Sequence, residues 1–390
     1  MNTEHISDAL NLLDDDMIDE TNALRGSRKR PSMGWFKRLA AAACAALAVC
    51  LGAGLLHTGR DLPQTDIADL PKLPLSEEVT QPNGMGYEGY LAFDSSELVN
   101  ANPWRPDAEF STLPVYRNLV PLDPAGVPKV TPDPVQTREV LLETAVRLGL
   151  DPDNMEIDEE PEFGLGFTAE AEGVSIRAWA DRLVTISFDP AVSLPEGYRF
   201  DDSASYEEIA AAAEYFKVQY KDLIAMDDPQ VNISGGDYTI YADQMYSLEF
   251  FDVGDDPVDT LLNYNFHRAA FYGNDEGRLF IIRLYGTDLS EKVGDYPIIT
   301  PKAAQELLLE GRYITNVPYK LPEGEQCIRK VELLYLTGGR EQYFMPYYRL
   351  LVELPQETRE NGLRSYGAYY VPAVEEIYLT GLPVWDGSFN

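Results

Sequence analysis

The chain has 390 residues, 45% of them hydrophobic, with 24 Tyr and a formal net charge of −34. Such a composition excludes a wholly disordered chain, and so acidic a surface repels nucleic acid and anionic membranes, so no nucleic-acid partner is expected. Three Cys supply no disulfide framework, leaving the fold to stand on its core.

Residues 1–38 read as a cytoplasmic segment with an N-terminal amphipathic helix. Ile6, Leu10, Leu13 and Met17 follow 4-3-4 spacing and share one helical face, while Asp14, Asp15, Asp16, Asp19 and Glu20 crowd the other. Arg25 falls in the last turn and Gly26 is a stop. A lone helix of this length is marginal in water. The stripe Ile6, Leu10, Leu13 and Met17 is therefore read as the partner-binding surface, through which residues 1–25 engage a cytoplasmic regulatory protein.

Leu39–Leu56 is uncharged throughout, and at ~1.5 Å per residue it is just long enough for a thin hydrocarbon core. Trp35 and Phe36 stand at its start, and Arg28, Lys29, Arg30, Lys37 and Arg38 precede it. The positive-inside rule then predicts a single-pass membrane protein with its N-terminus in the cytoplasm and its C-terminal domain outside the cell. A cleaved signal peptide is the competing reading. The long, patterned acidic region ahead of the apolar run is unlike a short basic leader and favours the transmembrane helix.

The run Leu13–Thr21, followed by the basic cluster and the apolar span, resembles the N-terminus of membrane-anchored, anti-sigma-like proteins of clostridia-like Gram-positive bacteria, with Leu13 where Ile is common. The resemblance implies the same topology and a cytoplasmic partner, and it stops at the apolar span.

Beyond that span the expected fold class is α+β, built of extracytoplasmic helix-plus-antiparallel-sheet modules. Residues 57–86 read as a Pro-rich stalk and 87–136 as an irregular arm packed on the body through Tyr87, Tyr90, Phe93, Trp104, Phe110 and Tyr116. A first module, 137–200, opens with a helix predicted over Thr137–Leu150. A second, 201–298, opens with a helix over Tyr206–Met226, where Ser205 and Glu208 form a capping-box pattern. Its strands include one predicted over Asn263–Tyr272. The third, 299–390, opens at Thr300-Pro301, an N-cap and first-turn pair. Short turns between strands disfavour parallel βαβ units. The third module, through Ile299–Gly311, Val331–Leu336 and Met345–Leu354, resembles PepSY-like modules and Yyc-type extracytoplasmic accessory proteins. That likeness implies an inhibitory or sensory role.

Chemistry-bearing patterns are scarce. Only His5, His57 and His267 are present; with His267 and Cys327 alone in the body, neither a zinc site nor a Cys–His pair can be assembled. No catalytic residue, metal site or cofactor is assigned, and an enzyme is not expected. The cluster Asp252, Asp255, Asp256 and Asp259 around Gly254 and Pro257 is read as a solvated loop in preference to a calcium turn. The Tyr-rich C-terminus is read as sheet packing in preference to a ligand groove. The leading expectation is a membrane-anchored sensor or regulator without catalysis, its outer modules meeting an envelope ligand or protein. The alternative is an anchored envelope scaffold or ligand-binding module with no inward signal.

Overall fold

Short polar residues followed by Pro or Glu set where the helices of this chain begin. Asp133 accepts from the Val135 amide and is followed by Pro134 at the start of α1 (Pro134–Arg147). Ser205 and Glu208 form a reciprocal capping box on α2 (Tyr206–Gln219), which a short α3 (Lys221–Ile224) extends. Asp256 accepts from the amides of Val258 and Asp259 at the start of α4 (Pro257–Phe266), and Thr300 caps α5 (Pro301–Leu309). The computed structural model describes residues 70–75, 91–92, 99–108, 110–123, 127–131, 133–158, 166–238, 244–315, 317, 320–357, 362 and 364–381. All lie in one unit, Gln64–Asn390.

The strands, in chain order, are β1 (Leu73–Pro74), β2 (Leu91–Ala92), β3 (Thr112–Arg117), β4 (Glu156–Ile157), β5 (Gly166–Ala171), β6 (Val174–Trp179) and β7 (Val184–Val192). They continue as β8 (Pro229–Tyr238), β9 (Gln244–Asp252), β10 (His267–Gly273), β11 (Leu279–Gly286) and β12 (Lys292–Pro297). The last are β13 (Ile328–Tyr335), β14 (Tyr343–Phe344), β15 (Pro346–Glu353), β16 (Ser365–Pro372) and β17 (Leu379–Thr380). The α+β class holds. The strands expected in the first and second modules join a single eight-stranded antiparallel sheet, ordered β4-β5-β6-β7-β11-β10-β9-β8. A four-stranded sheet, β13-β15-β16-β2, and a three-stranded one, β12-β3-β14, complete the body with the parallel pair β1-β17.

Each sheet buries apolar residues at period two. One face of the large sheet, with Ile176, Ile186, Phe250, Phe271 and Ile282, packs beneath Leu141 of α1 and Ile209 and Phe216 of α2. The four-stranded sheet is buried on both faces. Along β16, Tyr366, Ala368 and Tyr370 enter one core, while Tyr369 and Val371 enter another with Ala304 and Leu308 of α5. The C-terminal tyrosines thus fill the sheet's interior.

Several segments differ from their predicted structure, among them residues 70–75 of the expected stalk, where Leu73–Pro74 forms β1 and Leu70, Leu73 and Leu75 are buried in a core. Asn263–Tyr272 is not one strand: its first four residues belong to α4, because Asp256 and Pro257 start a helix whose Leu261, Leu262 and Phe266 are buried. The arm supplies β3, paired to β12 and β14.

The structure also corrects the transmembrane expectation. Among the described residues no helix is long and apolar enough to cross a membrane. The longest, α1 and α2, have 14 residues each, about 21 Å at ~1.5 Å per residue, and they are one-sided, with apolar residues against the sheet and charged ones outward. Leu39–Leu56 lies outside the described residues, so no element of the described fold carries the description as a single-pass transmembrane protein.

The cap on α4 gives a direct test. Asp256→Ala removes an acceptor shared by two amides, and is expected to lower stability by about 1 kcal/mol in urea unfolding, with the slope of the transition unchanged.

Candidate functional site: a polar cleft between the two main sheets

Residues Val99–Asn102, the strap that follows β2, lie between the large sheet and the four-stranded sheet and are hydrogen-bonded to both. On one side Asn100 Nδ2 donates to Glu332 Oε1 at 2.7 Å, and Asn102 Nδ2 donates to the Leu333 carbonyl at 3.1 Å. On the other, the Ala101 amide donates to Asn232 Oδ1 at 2.8 Å, and the Gly235 amide to the Val99 carbonyl at 3.1 Å. Each end of this polar bridge stops at an ion pair.

In the four-stranded sheet, Glu332 of β13 faces Arg349 of β15 directly across the ladder. Arg349 Nε and Nη2 donate to Glu332 Oε2 at 2.9 and 2.6 Å, and Lys330 Nζ sits 2.7 Å from Oε1. Glu332 is 2% exposed. Burial alone would raise its carboxyl. The charges of Arg349 and Lys330 and the Asn100 hydrogen bond outweigh that, and hold it at about 2. In the large sheet, Asn232 Nδ2 donates to Glu249 Oε2 at 3.2 Å, and Arg268 Nη1 contacts both Glu249 oxygens at 2.9 and 3.1 Å.

Between these pairs opens a cleft of about 700 Å³, walled by β8, β9 and β10 on one side and by β13, β15 and Leu336–Gly338 on the other. Tyr264 of α4 lines it. Burial pushes the Tyr264 hydroxyl well above the usual phenol range, and Arg349, Glu332, Glu249 and Arg268 act on it with opposed signs. Tyr264 therefore stays a neutral phenol among four paired charges. Its ring packs edge-on against Phe251, with the centroids 5.2 Å apart.

Asn265, also on α4, donates to the Leu261 carbonyl at 2.7 Å and accepts from the Tyr335 amide at 3.0 Å, which ties the helix to β13. His267 follows at once. Its Nδ1 lies 3.1 Å from Asn263 Oδ1 and its Nε2 3.1 Å from the Thr287 carbonyl, so it links α4 to the end of β11. Asp256 caps its helix, and among the described residues no group of His, Cys, Asp or Glu is arranged to hold a metal ion. Cys327 is free and half-buried.

The predicted partner-binding residues, Ile6, Leu10, Leu13 and Met17, lie outside the described residues. The cleft residues were not singled out from sequence. One signal for them is present: Glu332 is the one acidic residue of β13, flanked by Val331 and Leu333, and Arg349 is the one basic residue of β15. No protein-family model matches the chain, and no curated protein matches it significantly.

The Glu332 pair should dominate the acid response of the body. Its carboxyl is depressed from 4.5 to about 2, so the stability it contributes is present above pH 4.5 and is lost as the pH falls towards 2. Glu332→Gln leaves Arg349 and Lys330 facing a neutral amide, with an expected cost of about 3 kcal/mol at neutral pH. Urea unfolding of both proteins should show that gap closing on acidification through this window. A constant gap would place the cost elsewhere.

Proposed function

We propose that the chain is a non-catalytic recognition protein of sensory or regulatory type, whose body receives a ligand in the cleft between the two main sheets. One observation carries this reading: the cleft has the volume of a small-molecule site, yet its central charges are already neutralised in pairs. A general acid or base needs a proton affinity near the working pH, whereas Glu332 is held far below it and Tyr264 far above. Groups so fixed can orient a ligand by hydrogen bonds but are poorly placed to exchange protons with it.

A ligand in the cleft touches both sheets, and the strap Val99–Asn102 is hydrogen-bonded to both. Occupancy would therefore favour one relative arrangement of the sheets by the difference in affinity between arrangements. Such a device suits a sensor better than a passive scaffold. The regulatory half of the proposal assigns Ile6, Leu10, Leu13 and Met17 to a protein partner. Changing all four to Ser should abolish that partner's co-purification with the full chain, and retention would remove the regulatory half.

Cleft binding is tested by screening a small-metabolite library against the full chain by thermal shift. Ser247 lines the cleft on the exposed side of β9, so Ser247→Trp should fill it and cancel the shift of any hit. Tyr264→Phe removes one hydroxyl and should weaken a hit about threefold to tenfold, the worth of a single neutral hydrogen bond, at unchanged melting temperature. Hits that survive Ser247→Trp would sink the cleft as the site, and turnover of a hit by the wild-type chain would sink the non-catalytic reading.

A further inference from the structure

The large sheet gives its apolar face to α1 and α2 and keeps polar and aromatic side chains on the other. One row crosses six of its strands there, residue opposite residue: Asn232, Glu249, Ala270, Arg283, Thr185 and Arg177. Three arginines on this face lie over aromatic rings. The guanidinium carbon of Arg268 is 4.5 Å from the Tyr285 ring centre, that of Arg283 is 5.3 Å from Tyr272, and that of Arg177 is 5.5 Å from Trp179. Tyr272 and Tyr285 interact through their hydroxyls, so the Arg268 and Arg283 stacks form one interlocked unit.

The cations of this unit differ in one respect. Arg268 is neutralised by Glu249. The Arg283 side chain forms no ion pair and no hydrogen bond among the described residues; its Nε is buried without an acceptor, as are those of Arg268 and Arg182, but those two have a carboxylate on the guanidinium and Arg283 has none. The full chain has 65 acidic residues against 31 Lys and Arg, so a partly buried arginine left without a carboxylate is unexpected. The place is also informative: Tyr272, under the Arg283 guanidinium, lines the cleft.

We propose that Arg283 is the anion anchor of the cleft, and that the ligand carries a single oxyanion group, a carboxylate or a phosphate monoester, that lies against this guanidinium while the rest enters past Tyr272. Arginine's planar fork matches such a group in two parallel hydrogen bonds. The rest of the molecule narrows the class further. A net charge of −34 repels anions at a distance. A polyanion meets that repulsion at every charge, whereas one oxyanion meets it once and ends beside an uncompensated cation. The inference rests on the cleft reading above and adds the ligand's charge and its anchoring residue.

The test uses the full chain and isothermal titration with benzoate, phenyl phosphate, inorganic phosphate and neutral benzyl alcohol. Saturable binding of benzoate or phenyl phosphate is expected, the preferred one identifying the oxyanion, with benzyl alcohol at least about tenfold weaker. Arg283→Gln should weaken the preferred anion about tenfold or more while leaving benzyl alcohol unchanged, and Arg283→Lys should fall between, because it keeps the charge without the fork. Far-ultraviolet circular dichroism establishes that each variant is folded. Equal anion binding by wild type and Arg283→Gln, or no saturable binding of any of the three anions, overturns the proposal. If Arg283→Gln is silent while Ser247→Trp abolishes anion binding, the anchor falls and the cleft stands. If Ser247→Trp is silent while Arg283→Gln abolishes it, the anchor stands and the cleft falls.

Discussion

The body of this protein depends on a buried carboxylate that satisfies three donors at once. Glu332 is buried between Val331 and Leu333 of β13, and a carboxylate there is tolerated only if its hydrogen-bonding capacity is filled and its charge is met. Arg349 and Lys330 meet the charge from within the same sheet, while Asn100 fills the remaining capacity from outside it. That last bond is what turns a local ion pair into architecture. It fixes the strap Val99–Asn102 against the four-stranded sheet, and the next residue, Ala101, passes the connection to Asn232 and so to Glu249 and Arg268 in the large sheet. Two sheets with separate hydrophobic cores are thereby joined through polar groups, and the space beside the joint remains a cleft.

A polar joint has different properties from an apolar one. Hydrophobic packing is non-directional and tolerates sliding, whereas hydrogen bonds of 2.7–2.8 Å to a defined oxygen fix register. The joint sets three cations against two carboxylates, so it adds nothing to the repulsion of a strongly acidic molecule. Its weakness is acid: once Glu332 is protonated the same burial that protected it leaves Arg349 and Lys330 opposed and desolvated.

Local chemistry was legible in the sequence and tertiary chemistry was not. The capping box of Ser205 and Glu208 and the Thr300-Pro301 start were readable because cap and helix are adjacent in sequence. The same logic applies at Asp256-Pro257, yet the surrounding carboxylates make the segment look like a solvated loop, and the last four residues of α4, Asn263–Phe266, read as strand. β3 contains Pro114, which has no amide to donate to a ladder. The structure accommodates it because β14 pairs only with Tyr116 and Arg117, so at Pro114 the strand has one neighbour, β12, and loses no second ladder. The cleft was illegible for a plainer reason. Asn100 and Glu332 are 232 residues apart, and nothing in either neighbourhood announces the other.

The distribution of cations follows from the same constraint. Most arginines of the described body are matched to a carboxylate, as Arg199 is to Asp201 and Glu208, Arg312 to Glu376 and Arg329 to Glu353. In a molecule with a large excess of acid such matching needs no special arrangement, since a carboxylate is seldom far away. Leaving Arg283 unmatched does require one. Its row neighbours are Ala270 and Thr185, neither of which carries charge, and Glu249, the carboxylate that acts on Tyr272, is already held by Arg268 at two contacts. The aromatic face of Tyr272 then stabilises the cation without neutralising it, because a ring quadrupole attracts a guanidinium but carries no net charge to cancel. A residual positive charge is therefore preserved beside the cleft by the sheet register itself, and it is the register, fixed over β9, β10 and β11, that makes this corner of an acidic protein receptive to an anion.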